Sequence, residues 1–279
     1  MRVLVSYDLE GVAGIVDWDQ CRPGTAAYST GCALLAGELT ALVEGLRAGG
    51  ATEILLNDSH GSMHNLDPAQ LPLGTVSIAG RQKPLYMMEG VDRGVSGVVF
   101  LGYHGAISGR PAVLSHTYNP ATITRVTLNG EEVGESGINA LAACAEGAPV
   151  ILLTGDDVAV DQAAWVIPTA ERLAVKRSIT RFAAESLHPM EARTRIRAAA
   201  ERAMARLRGA AAPPIELPPI ELPAVLDVEL ATADLVELAT WVKGVEKAAD
   251  RTVRLAGSDL GRLHRSFVAL VAMVRAADR

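Results

Sequence analysis

Short apolar runs that close in polar residues recur along the first two-thirds of the chain. Val3-Leu4-Val5 leads through Ser6-Tyr7 into Asp8-Leu9-Glu10-Gly11. Ile54-Leu55-Leu56 leads into Asn57-Asp58-Ser59-His60, and Val98-Val99-Phe100-Leu101 into Gly102-Tyr103-His104. Val150-Ile151-Leu152-Leu153 leads into Thr154-Gly155-Asp156-Asp157. Apolar runs of this length, bounded by turn residues, predict buried strands. Between the first two, Leu35, Leu39, Leu42-Val43 and Leu46 repeat at helical spacing, and Gly49-Gly50 ends the helix. Strand, helix, strand in this length predicts a βαβ unit with parallel strands.

The rest reads less uniformly. Thr75–Ile78 predicts a short strand, Lys83-Pro84 opens a helix through Glu89 that Gly90 closes, and Val113–Thr117 predicts a further strand. Thr122–Leu128 alternates and ends in Asn129-Gly130, a strong hairpin signal. Helices follow at Ile138–Ala145 and at Val158–Val166, the second capped by Asp156-Asp157, with a strand at Leu173–Val175. Composition shifts near Pro189. An Ala/Arg/Glu helix runs to about Leu207, and Pro-Ile-Glu-Leu-Pro then occurs twice, at 214–218 and 219–223. That repeat predicts a stiff, extended connector. Strands at Ala224–Leu230 and Thr252–Leu255 and helices at Ala233–Val242 and Leu260–Val274 complete the chain. The expected fold is α/β: a mostly parallel sheet sandwiched by helices over 1–189, and a smaller α+β domain over 190–279 with its connector at 213–223.

Composition narrows the function. Of 279 residues, 49% are hydrophobic but only 4% aromatic, so the core is built from Ala, Val, Leu and Ile. A net charge of −6 argues against a general nucleic-acid binder. The arginines between Arg193 and Arg208 alternate with Ala and Glu, which suits a solvated helix face. Cys21, Cys32 and Cys144 form no paired motif, in keeping with a reducing, cytoplasmic location. The start carries none of the basic and apolar regions of a signal peptide. No apolar run approaches the roughly 18–20 residues that span a bilayer, so no membrane partner is expected.

The chemistry gathers at the strand ends. In open α/β sheets, ligands bind beyond the carboxyl ends of the strands. Asp8 and Glu10 project to one side of an extended chain, and two adjacent carboxylates repel unless a cation lies between them. Asp8 capping a turn beside a solvated Glu10 is the plainer alternative. His60 and His104 close the second and third strands, and imidazole with carboxylate suits zinc, manganese or another first-row ion. Glu135, in Gly134-Glu135-Ser136-Gly137, reads by itself more readily as an ordinary acid near a helix start. His116 reads equally as a satisfied core histidine.

Tyr7-Asp8-Leu9-Glu10-Gly11, Asn57-Asp58-Ser59-His60, Met88-Glu89-Gly90, Leu101-Gly102-Tyr103-His104, Leu114-Ser115-His116 and Val133-Gly134-Glu135 together resemble the zinc-dependent D-aminopeptidases. Leu9 stands where that family usually has Met. The resemblance implies two zinc ions per chain. Asp8 would bridge them, with Glu10 and His104 on one ion and His60 and Glu135 on the other. It places the catalytic histidine at His116, for which an acid or oxyanion role is favoured. It also implies short peptide substrates, cleaved after an N-terminal D-residue, and a homo-oligomer, with a decameric ring enclosing a chamber as the expected form. A non-catalytic peptide-binding scaffold and a metal-dependent hydrolase of another small amide are the alternatives.

Overall fold

The computed structural model describes residues 1–107 and 109–277. In chain order the strands are β1 (Arg2–Tyr7), β2 (Glu53–Asp58), β3 (Val76–Ile78), β4 (Gly97–Tyr103), β5 (Ile123–Leu128) and β6 (Glu131–Glu132). They continue as β7 (Val150–Asp156), β8 (Glu171–Thr180), β9 (Ala183–Ser186), β10 (Ala224–Leu230), β11 (Val245–Ala249) and β12 (Thr252–Gly257). The helices are α1 (Ala26–Ala48), α2 (Glu135–Ala145), α3 (Asp157–Gln162), α4 (Pro189–Leu207), α5 (Ala233–Ala239) and α6 (Leu260–Ala277).

The expected parallel sheet is present, in the order β3-β2-β1-β4-β7-β8-β9. Only the edge pair β8–β9 is antiparallel. Both faces are covered, which is why its central strands read as unbroken apolar runs. Val3 and Val5 of β1 face α1 and α4, among Leu35, Leu39, Ile196 and Ala200. Leu4 faces the other way, among Leu55, Phe100, Ile138 and Phe267. By length and composition α1 could cross a bilayer, but its Leu35, Leu39, Leu42 and Leu46 are buried in this layer.

The second sheet is antiparallel, ordered β11-β12-β10-β5-β6. It joins chain from both sides of residue 190, so the two sheets do not follow the expected division there. The alternating Ile123, Val126 and Leu128 of β5 are buried beside the matching Leu226, Val228 and Leu230 of β10. In the opposite direction, α4 from beyond residue 190 returns to pack on α1, where Gly45 brings the helices close: a Cβ there would lie 2.2 Å from the Arg197 carbonyl.

Asn129 and Gly130, with φ of 52° and 89°, form the expected hairpin turn. Other expectations shift. The helix expected from Lys83 is a single 3-10 turn at Tyr86–Met88, and that expected to Val166 ends at Gln162. Residues 113–117 form a loop, because Leu114 takes a positive φ of 49° that breaks an extended run. Strands β9 and β11 escape the pattern because Ala and Glu or Lys dominate them.

Candidate metal centre

Register brings the strand ends level. Tyr7 pairs with Asp58 on one side and with Leu101 on the other. Asp8, His60 and His104 therefore leave the sheet at one edge. The chains cross closely there. Asp8 N–H donates to the Leu101 carbonyl and Gly11 N–H to the Gly102 carbonyl, both at 2.8 Å. A Cβ on Gly11 would lie 1.9 Å from the Tyr103 carbonyl oxygen, and Gly102 sits at φ +71°. Only glycine serves at either position without displacing main chain.

Glu135 arrives from the other sheet. It follows the β5–β6 hairpin and opens α2, where its Oε1 also accepts the Tyr118 N–H at 2.7 Å. His116 comes from the loop after β4, tied down by Leu114 N–H to the Arg181 carbonyl (2.9 Å) and Val113 N–H to Ser178 Oγ (3.1 Å). All six expected site residues thus meet, and the most exposed, His116, retains only 8% of its surface.

Each of the three imidazoles gives one N–H to a main-chain carbonyl: His60 Nε2 to Cys21 (2.8 Å), His104 Nδ1 to Gly105 (3.0 Å), His116 Nδ1 to Leu114 (2.9 Å). A carbonyl only accepts, so the other ring nitrogen is the one free to bind a ligand. Metal-binding histidines are oriented in this manner. His60 Nδ1 lies 3.2 Å from Asp8 Oδ1 and 2.9 Å from Glu10 Oε2. His104 Nε2 lies 3.6 Å from Asp8 Oδ2 and 3.7 Å from Glu135 Oε1. It has no hydrogen-bond partner among the described residues although it is buried. Those separations are too long for hydrogen bonds. They suit ligands that share one ion over bonds of about 2.0–2.2 Å. The shortest contacts group Glu10 with His60 and Glu135 with His104, unlike the pairing implied by the resemblance. Glu10 is also within ligand range of His104.

The charges are mutually dependent. Burial and the neighbouring Glu10 push Asp8 up to about 6. Burial would raise Glu10 too, but His60, His116 and His104 outweigh it and hold Glu10 well below the usual range. Burial disfavours charge on His60, yet Glu10 and Asp8 raise it well above an ordinary imidazole. In the same way Glu135, Glu10 and Asp8 lift His104 to about 9 against its burial. Burial and the adjacent His104 push His116 down to about 3. Burial takes Glu135 to about 7. Without a cation, protons hold these groups together. The donor set and the unpartnered His104 nitrogen fit zinc in place of those protons.

The loop that carries Glu10 is gripped from beneath by two residues that the sequence reading missed. Lys176, at 3% exposure, donates from Nζ to the carbonyls of Glu10, Val12 (3.1 Å) and Ile15 (2.7 Å). Glu38 Oε1 accepts Ala13 N–H at 2.9 Å. The available signals were a lysine closing the apolar strand Leu173-Ala174-Val175, and a glutamate on the leucine face of α1. Asp58 orients the His60 turn through main chain, accepting the N–H groups of His60 (3.3 Å) and Asn65 (2.6 Å), and leaves the ring alone. Asp156 caps α3 as expected, accepting Ala159 N–H at 2.8 Å, and also accepts Gly105 N–H at 2.9 Å behind His104. His64 is exposed, with Nδ1 turned to the Ser62 carbonyl.

Above the cluster lies a cavity of about 480 Å³, within the roughly 300–1,000 Å³ usual for small-molecule sites. A parallel α/β sheet with a buried carboxylate–imidazole cluster at its strand ends, opening on such a cavity, is the arrangement of a metal-dependent enzyme acting on a small substrate. The sequence profile of the D-aminopeptidases, peptidase family M55, matches residues 1–269. A D-aminopeptidase of Bacillus subtilis (strain 168) is 31% identical over 271 residues, covering 97% of this chain and 96% of the relative. The solved structure of the zinc-dependent D-aminopeptidase DppA from Bacillus subtilis, described as a self-compartmentalizing protease, superposes with a TM-score of 0.88 at 30% identity, over 99% of this chain and 98% of that one. The chain belongs to the D-aminopeptidase family and is a peptidase.

Proposed function

We propose that this protein is a zinc aminopeptidase that holds two zinc ions per chain and releases N-terminal D-residues from short peptides. One observation carries the two-ion reading. Asp8 turns one carboxylate oxygen toward the Glu10–His60 pair and the other toward the Glu135–His104 pair. Asp8, Glu10 and His60 would hold one ion, and Asp8, Glu135 and His104 the other. Bound zinc would supply Lewis acidity and ease deprotonation of water near neutral pH.

His116 is placed to move the proton. Its Nε2 faces the cluster, 3.9 Å from Glu135 and 4.0 Å from Glu10. With Nδ1–H committed to Leu114, Nε2 first accepts a proton from the attacking water. It then donates that proton to the leaving amine as the peptide C–N bond breaks. The acid role favoured on sequence grounds is therefore the second half of a shuttle. Trp18 packs edge-on against the His116 ring, with centroids 5.4 Å apart, and limits its swing.

Preference for D-residues rests on family membership. The description of DppA as self-compartmentalizing supports a homo-oligomer, which we extend to a decameric ring with its sites facing an enclosed chamber. Three free thiols support a cytoplasmic location. The direct test is release of alanine from D-Ala and L-Ala dipeptides by zinc-replete protein, with and without chelator. Chelator-sensitive release from the D-form is expected. Equal turnover of L-forms would defeat the D-preference, and no metal-dependent release from either would defeat the aminopeptidase reading.

A further inference from the structure

The cavity is electrically two-ended. Its floor carries Asp8, Glu10 and Glu135, and its walls carry Arg22, Arg81 and Arg275. These arginines come from three separate places: the turn before α1, the loop after β3, and the last turn of α6. Among the described residues no carboxylate lies within ion-pair range of any of the three. Arginines elsewhere on the surface commonly have one, such as Arg254 with Asp227 at 2.7 Å and Arg251 with Glu229 at 2.6 Å. Arg22 is held in place: its guanidinium lies over the Trp18 ring, 5.4 Å from the centroid. Trp18 in turn packs on His116. One arginine is thus fixed a single aromatic ring away from the proposed proton shuttle. Planar guanidinium groups bind carboxylates through paired, charge-assisted hydrogen bonds.

We infer that the arginine wall is a subsite for the free C-terminal carboxylate of a short peptide, with Arg22 its fixed member and Arg81 and Arg275 completing it. The inference rests on the aminopeptidase reading and narrows it. A short peptide would place its N-terminal residue at the metal-binding floor and its carboxylate against the arginines. The same peptide with its C-terminus amidated has the same scissile bond and lacks only the charge that the wall recognises. Length selection follows, because one cavity of about 480 Å³ holds both poles only when the chain between them is short.

The test compares Ala-Ala dipeptides of the hydrolysed stereochemistry as free acid and as C-terminal amide, on zinc-replete wild type and on Arg22→Gln, Arg81→Gln, Arg275→Gln and the triple variant. Wild type should favour the acid by roughly tenfold or more in kcat/KM, the scale of one charged hydrogen bond. The difference should lie in KM, and the triple variant should abolish it. Calorimetric binding of the two products, alanine and alaninamide, to the same proteins gives a readout that needs no turnover, and the acid preference should vanish in parallel. Equal handling of acid and amide by wild type would overturn the subsite. So would an acid preference that survives in the triple variant. Hydrolysis of neither peptide defeats the aminopeptidase reading instead, and the binding comparison then still decides for or against the arginine wall.

Discussion

His104 and His116 lie face to face, with ring centroids 4.2 Å and planes 9° apart. Two imidazolium ions so stacked would repel strongly, and the carboxylates decide which ring takes the charge. Glu135 and Asp8 lie nearer His104, so His104 rises to about 9 and His116 drops to about 3. On the proposed reading, His104 would be a ligand that exchanges its proton for a cation, and His116 a neutral group that handles protons. Replacing His116 by Ala should lower kcat by about 10²–10⁴-fold while zinc per chain stays at the wild-type value. Loss of zinc together with activity would instead make His116 a ligand. Ligands shed protons to bind, so zinc affinity should fall as pH drops below about 9 for His104, further below about 7 for Glu135, and again below about 6 for Asp8. Titration of metal-free protein with zinc at several pH values checks the sign: affinity that rises on acidification would contradict it. Asp8, Glu10, His60 and His104 were legible in the sequence because each closes or follows an apolar run. Glu135 and His116 were not, since nothing local separates them from a helix-start acid and a core histidine. Only the ordered set of motifs singled them out.

The element that matters most is the loop after β1. It must turn within a few residues while keeping both carboxylates inward. Lys176 closes it through the carbonyls of Glu10, Val12 and Ile15, and Glu38 through Ala13. Lys176→Met leaves those carbonyls unpaired in a buried space, a cost of about 1–3 kcal/mol per group. The expected result is a lower melting temperature and loss of zinc mainly from the Glu10–His60 side. Full zinc content in a folded Lys176→Met protein would show that the clamp does not position Glu10. Gly102→Ala should be harsher, since φ of +71° and the Asp8 carbonyl 2.3 Å from the new Cβ force β1 and β4 apart. Zinc retained at wild-type affinity in that variant would contradict the close crossing. The strands carrying Asp8, His60 and His104 could be read from apolar runs because both sheet faces are covered. The His116 loop could not, because its apolar Val113-Leu114 is buried as irregular chain held by β8 and its hairpin, a tertiary arrangement with no period of its own.

At the scale of the molecule, the parallel sheet supplies Asp8, Glu10, His60 and His104, and α2, entered from the antiparallel sheet, supplies Glu135. The site is complete only where the two sheets meet. A boundary at residue 190 is what composition suggests, since the tandem Pro-Ile-Glu-Leu-Pro reads as a linker. Sheet pairing is set by which apolar faces remain uncovered, so β5 finds β10 across that linker. Asp8 sits at the centre of this meeting, one oxygen toward each half. Zinc content per chain in folded Asp8→Ala, Glu10→Ala and Glu135→Ala proteins, against wild type, tests that placement most directly. Two ions in wild type, one in each glutamate variant and none in Asp8→Ala is the expected result. An ion retained in Asp8→Ala, or both ions lost from Glu10→Ala alone, would contradict a bridge at Asp8.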